Sequence, residues 1–246
     1  MDKTFYNESS SAKLGWTPDW FGASHFDEDL LKKVRAFQKE HKLTADGLVG
    51  PTTYRRIWTE REASLMEHAP RELITRQESF ILCNNNYVDI QWPHVVLPIE
   101  SGGLRLTKGF RVVREKRKVT NFVSHWDVCL SSESCYRVLK NRGISVHFGI
   151  DNDGTIYQYM DCNHIAWHAG SSKWNNNSIG VEISNAYYPK HQGWYKSHGY
   201  GERPLWENKK VHGKYLDPFL GFYDVQLQAL QALMKAIHTA YDIPLE

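Results

Sequence analysis

Residues 119–127 read VTNFVSHWD. Val119, Phe122 and Val123 suit an extended strand, and His125 falls where that strand would finish. An imidazole at the edge of a core strand has two ordinary explanations. It is a core histidine with one satisfied hydrogen bond, or it is a metal ligand or catalytic base. The surrounding chain decides between them.

Downstream, Ser131 is placed to cap a helix, SSESCYRVLKNR, that stops at Gly143. ISVHFGI, 144–150, alternates Val146, Phe148 and Ile150 as a half-buried strand does. NDG at 152–154 is a tight-turn signal, and TIYQYM is the returning strand. SIGVEIS, 178–184, predicts another strand. DVQLQALQALMKAIHTAY, 224–241, predicts a long amphipathic helix with Leu227, Leu230, Met234 and Ile237 facing inward. Strands interspersed with helices predict an α/β domain, a mixed central sheet flanked by helices.

Upstream, DEDLLKKVRAFQKE, 27–40, predicts a short helix with Leu30, Leu31, Val34 and Phe37 on one face. Asp46-Gly47 is a turn, and Gly50-Pro51 ends one element and starts a second helix carrying Tyr54, Ile57 and Trp58. This small all-α unit, 1–62, reads as an accessory module. Residues 63–78 are charged, contain Pro70, and read as a linker to a domain at 79–246. FILCNNNYVDIQW, 80–92, suits two strands around an Asn-rich turn. The basic run RLTKGFRVVREKRKV, 105–119, reads as a solvated strand face.

Bulk properties narrow the function. The 246 residues are 41% hydrophobic and 24% charged, an ordinary globular balance. A net charge of +2 supplies no global field for nucleic acid. No run approaches a membrane span, and MDKTFYNESSSAKLGW is not a secretory signal. The expectation is a monomer made in the cytoplasm. Cys83, Cys129, Cys135 and Cys162 form neither a CxxC pair nor a dense disulfide framework.

Three features join His125 as candidates for chemistry. His168 lies in AWHAG, 166–170. Glu182 shares a strand face with Gly180 and Ser184, and its apolar chain neighbours suit a general base. The last helix would cover one sheet face.

The order FVSHWD, helix, SVHFGIDNDGTIYQ, AWHAG, NNNSIGVEIS, amphipathic helix resembles the zinc N-acetylmuramoyl-L-alanine amidases, a superfamily that includes phage endolysins and peptidoglycan-recognition proteins. The resemblance covers roughly 119–243. VRAFQKEHKLTADGLVGPTTYRRIW resembles the bacterial peptidoglycan-binding module, with its FQ pair and DG.VG.T turn. What the resemblance implies is a lysin-type hydrolase. It would cut the bond between N-acetylmuramic acid and L-alanine, with peptidoglycan as partner and one zinc as cofactor. His125 matches the first zinc ligand and Glu182 the acidic residue that takes a proton from the zinc water. Val146 stands where other members carry tyrosine. Trp126, Trp167, His168 and Asn177 are the expected substrate-binding residues, and His147 is expected to be structural or to support the site from behind its ligands. Cys129 and Cys135 are spaced like the disulfide of animal recognition proteins, and are expected reduced in a cytoplasm.

In the family the other ligands, a histidine and then Asp or Cys, follow the long helix, whereas this sequence stops at YDIPLE. His191, His198, His212 and His238 fit that pattern badly. The chain is expected to be part of a longer enzyme, binding zinc weakly by itself. The alternative is a non-catalytic peptidoglycan binder of the same fold.

Overall fold

The computed structural model describes residues 2–64, 73–211 and 213–243. Half of the expected linker (65–72 of 63–78), His212 and the last residues of the YDIPLE ending lie outside these. The chain divides into two compact units, 1–66 and 67–246.

The first unit holds three helices, α1 (Lys3–Leu14), α2 (Glu28–Glu40) and α3 (Pro51–Ser64). The sequence predicts the second and third but not α1, whose buried face includes Asn7 and Ser10 rather than an apolar stripe. Asp2 caps α1 by accepting from the Thr4 and Phe5 amides. Asn7 brackets the following turn, donating to the Gly47 carbonyl and accepting from the Val49 amide. Gln38, at the end of α2, holds the same turn. Its amide donates to Asp46, the Leu48 carbonyl and Thr53, and its oxygen accepts from the Gly47 amide. The FQ and DG.VG.T letters thus describe one hydrogen-bonded joint. Trp16, Leu30, Leu31, Val34, Val49, Tyr54 and Ile57 fill the core around it.

The second unit begins with the hairpin β1 (Phe80–Cys83) and β2 (Asn86–Asp89), then β3 (Val95–Val96) and β4 (Phe110–Arg111). Most of the basic run is not strand; only Phe110–Arg111 pairs. Next come β5 (Asn121–Trp126), α4 (Ser132–Arg142), β6 (Phe148–Ile150), β7 (Ile156–Gln158), β8 (Ile165–Ala166), α5 (Ser172–Asn177) and β9 (Ser178–Ile183). An insertion follows, with α6 (Gln192–Ser197), β10 (Leu205–Trp206), β11 (Lys210–Val211), β12 (Lys214–Tyr215) and β13 (Phe219–Leu220). The last described helix is α7 (Asp224–Tyr241). No helix among the described residues is long and apolar enough to cross a membrane.

The central sheet runs β3-β7-β6-β9-β5. Only β7 and β6 pair antiparallel; the other neighbours are parallel. On one face Phe148, Ile150, Ile179, Val181 and Ile183 pack against Ala229, Leu233, Ala236 and Ile237 of α7. Each large apolar side chain so buried contributes about 1.5–3 kcal/mol. The expected inward stripe of α7 holds at Ile237, which is buried, and at Leu230, which packs against the core, and is corrected at Leu227, which is 41% exposed, while Gln226, Ala229 and Leu233 are buried. Small alanines let the helix approach the sheet, so the contact line lies one step round from the largest residues. The buried Gln226 is used by the insertion, whose buried Arg203 donates to it and to the Ser184 and Gly221 carbonyls.

Candidate active site

The site lies on the sheet face opposite α7. The register pairs His125 of β5 with Glu182 of β9, and Glu182 with Gly149 of β6. Paired residues in a parallel ladder share a face, so His125 and Glu182 stand side by side on one surface. The alternation predicted for SIGVEIS holds, with Ser178, Gly180, Glu182 and Ser184 on this side.

His168 comes from the loop after β8 and lies over β9. A Cβ on Gly180 would sit 2.6 Å from His168 Nδ1, so only glycine leaves room for the ring. Asn175, inside α5, holds the loop, its side-chain oxygen accepting from the His168 and Ala169 amides. His168 Nδ1 is 2.9 Å from His125 Nε2, and its Nε2 is 3.1 Å from Ser178 Oγ. Ser178 gives its own proton to the Trp174 carbonyl, so it accepts from His168 Nε2–H. That leaves His168 Nδ1 as acceptor and His125 Nε2–H as donor. The chain His125, His168, Ser178, Trp174 is thus ordered with His168 neutral. Burial lowers the His125 pKa. Burial, aided by the charges of His125 and Arg117, takes His168 down to about 4.

His147 is fully buried beside this site. Its Nδ1 accepts from the Gly180 amide and its Nε2 faces the His164 carbonyl. Burial and the Arg117 guanidinium 3.2 Å away hold its pKa well below the ordinary value. Below Glu182, Asp127 accepts from the Cys129 and Asn185 amides and from Ser184 Oγ. Burial, then the Glu182 charge, pushes the Asp127 pKa well up.

The geometry brings His125, His168 and Glu182 together. It separates two expected substrate-binding residues from them. Trp126 points to the α7 face, where its indole donates to the Asn185 carbonyl and packs on Tyr187, Phe219 and Phe222. The Asn177 side chain donates to the Lys173 carbonyl within its own helix, and it is Asn175 that touches the histidine loop. Trp167 is 47% exposed and lines a groove beside the pair. Asn175 and Ser178 were absent from the sequence expectations. Ser171, an N-cap signal, could have placed Asn175 one turn into a helix, but its partner is set by the loop.

Zinc can be tested against these donors. A catalytic zinc takes three protein ligands and keeps one position open. His125 and His168 offer two facing nitrogens, and among the described residues no third donor groups with them. Among the described residues the one triple of close donors is Asp127, Cys129 and Cys135, all buried. Such a cluster is closed to substrate, and its two cysteines are not joined in a disulfide. The described residues therefore do not fit a complete catalytic zinc site.

Comparison with known proteins agrees with the motifs. The N-acetylmuramoyl-L-alanine amidase family matches residues 115–246, and a putative peptidoglycan binding domain matches 12–57. No curated protein matches. Among solved structures, the amidase AmiD from E. coli, in complex with anhydro-N-acetylmuramic acid-L-Ala-D-gamma-Glu-L-Lys, is 24% identical. The alignment covers 53% of this chain and 46% of that one, with a TM-score of 0.36. AmpDH3 from Pseudomonas aeruginosa is 19% identical over 53% and 49%, TM-score 0.36. The endolysin LysCS from Clostridium intestinale is 18% identical over 62% and 78%, TM-score 0.37. The chain spans about half the length of the first two, and at such TM-scores no geometry is carried over from any of them. The family match takes in His125, His168 and Glu182 and more than half of the sequence, and on that ground this chain belongs to the N-acetylmuramoyl-L-alanine amidase family.

Proposed function

We propose that this protein hydrolyses the amide between the lactyl group of N-acetylmuramic acid and the L-alanine of the peptidoglycan stem. The N-terminal unit would hold the cell wall nearby and so raise the effective substrate concentration. The observation that carries this reading is the in-register pair of His125 and Glu182, with the neutral His168 against it and an open groove alongside. Glu182 takes a proton from the attacking water and returns it to the departing amine of alanine, the ordinary task of a general base. His168, held neutral, places no competing positive charge beside that carboxylate. Members of the family generally depend on zinc, and His125 is the residue we assign to one such ion; no step here passes through it.

Glu182→Gln keeps the shape and removes the basicity. In an active preparation it should lower turnover about 10²–10⁴-fold, read as new alanine amino termini released from muropeptides. Near-normal release by Glu182→Gln would eliminate the role. The shortage of zinc donors around His125 and His168 among the described residues supports a second reading, a peptidoglycan binder that does not hydrolyse. Wall binding without any amine release, at saturating zinc, would favour it.

A further inference from the structure

The end of β5 carries a second group of donors, outside the hydrolytic machinery. Asp127, Cys129 and Cys135 each bring one ligand atom within 4.8 Å of the others, and all three are buried. Asp127 and Cys129 lie on the turn that leaves β5, two and four residues after His125. Cys135 closes the first turn of α4, its amide donating to the Ser131 carbonyl. Val128, between the first two donors, is held at φ 55°. That left-handed conformation is costly for a β-branched residue, and such strain persists where the surrounding structure holds a functional geometry.

Asp127 is already oriented. Its Oδ1 accepts from the Cys129 and Asn185 amides at 2.8 and 3.0 Å, and its Oδ2 accepts from Ser184 Oγ at 3.0 Å. Outer partners of this kind fix the carboxylates that ligate metals. A carboxylate offers about four lone-pair sites, so the Cys129, Asn185 and Ser184 bonds leave room for an ion. Two sulfurs and an oxygen suit zinc, whereas magnesium and calcium take oxygen donors. Zinc bonds of about 2.3 Å to sulfur and about 2.0 Å to oxygen set tetrahedral donors about 3.5–3.8 Å apart. A small inward movement would close these donors on the ion. The two cysteines are not joined in a disulfide, as thiolate ligation requires. We propose that Asp127, Cys129 and Cys135 hold a structural zinc ion, separate from the His125–His168 pair, with a small oxygen donor in the fourth position. The ion would pin the end of β5, which presents His125, to the start of α4. The proposal does not depend on hydrolysis.

Buried donors of this kind load as the chain folds. The full chain is therefore unfolded in guanidinium chloride with a phosphine reductant, refolded with zinc or with cobalt(II), and dialysed. It should then keep about one equivalent of zinc more than the Cys129→Ser, Cys135→Ser double variant. The cobalt form should show the near-ultraviolet charge-transfer absorption of thiolate ligation. His125→Ala and His168→Ala should leave that absorption in place. Stripping zinc with a chelator should lower the thermal midpoint by about 5–10 °C, and should not move the midpoint of the double cysteine variant. Circular dichroism checks that each variant is folded. If the double variant does not fold, the cobalt spectrum of the unaltered chain decides, because a site built from histidines has no thiolate band. No retained zinc, equal zinc in the double cysteine variant, no thiolate absorption, or loss of that absorption in folded His125→Ala overturns the proposal. So does a disulfide between Cys129 and Cys135, found as missing thiols when the unreduced chain is unfolded and titrated.

Discussion

At the scale of single residues, Gly180 sets the height at which His168 lies over the sheet. Any side chain there would meet the ring within 3 Å, and that ring is the acceptor for His125. Gly180→Ala is expected to push His168 off its position. A forced displacement in a packed site costs about 1–3 kcal/mol in stability. A shift of the order of an ångström at a reacting group costs about 10²-fold in turnover. Turnover and thermal midpoint measured together check this. An alanine variant with wild-type turnover would show that the His125–His168 contact is not used. Glu182 was recognisable in sequence because strand alternation places it opposite Val181 and Ile183. The His168–Ser178 bond was not, because it joins a loop to a strand through space.

Among the elements, α7 is the one whose face the sequence placed only in part, right at Leu230 and Ile237 and wrong at Leu227. Its apolar residues are numerous enough to draw more than one stripe, and the sheet chose the one with alanines at the contact. Leu233 is fully buried there and Leu227 is 41% exposed. Leu233→Ala should therefore cost about 2–5 kcal/mol, and Leu227→Gln no more than about 0.5 kcal/mol. Urea denaturation of both variants measures the difference. A large loss at Leu227 with a small one at Leu233 would restore the stripe read from the sequence. The same logic explains α1. Asn7 and Ser10 face inward to bind the 47–49 turn, and a polar buried face has no hydrophobic period to read.

For the whole molecule, the two compact units argue for two separable activities. Residues 1–66 have their own core and match the peptidoglycan-binding domain over 12–57. The isolated fragment should sediment with purified sacculi and release no amine from them. Recovery of the fragment in the supernatant, with the full chain in the pellet, would move the wall-binding role to the second unit.

What the sequence determined by itself was local and periodic. The strand at FVSHWD, the Ser131-capped helix, the NDG hairpin and the SIGVEIS alternation each follow from neighbours within a few residues, where backbone propensity and side-chain period act. The FQ and DG.VG.T letters likewise announced a module before its hydrogen bonds were visible. Tertiary structure alone decided the rest. It set the parallel register that stands His125 beside Glu182, the glycine gap that admits His168, the turning of Trp126 to the far face, and the hold of Asn175 on the histidine loop. These depend on which strand lies next to which and on the space left between them. Both are long-range packing outcomes, and residue spacing along the chain does not encode them.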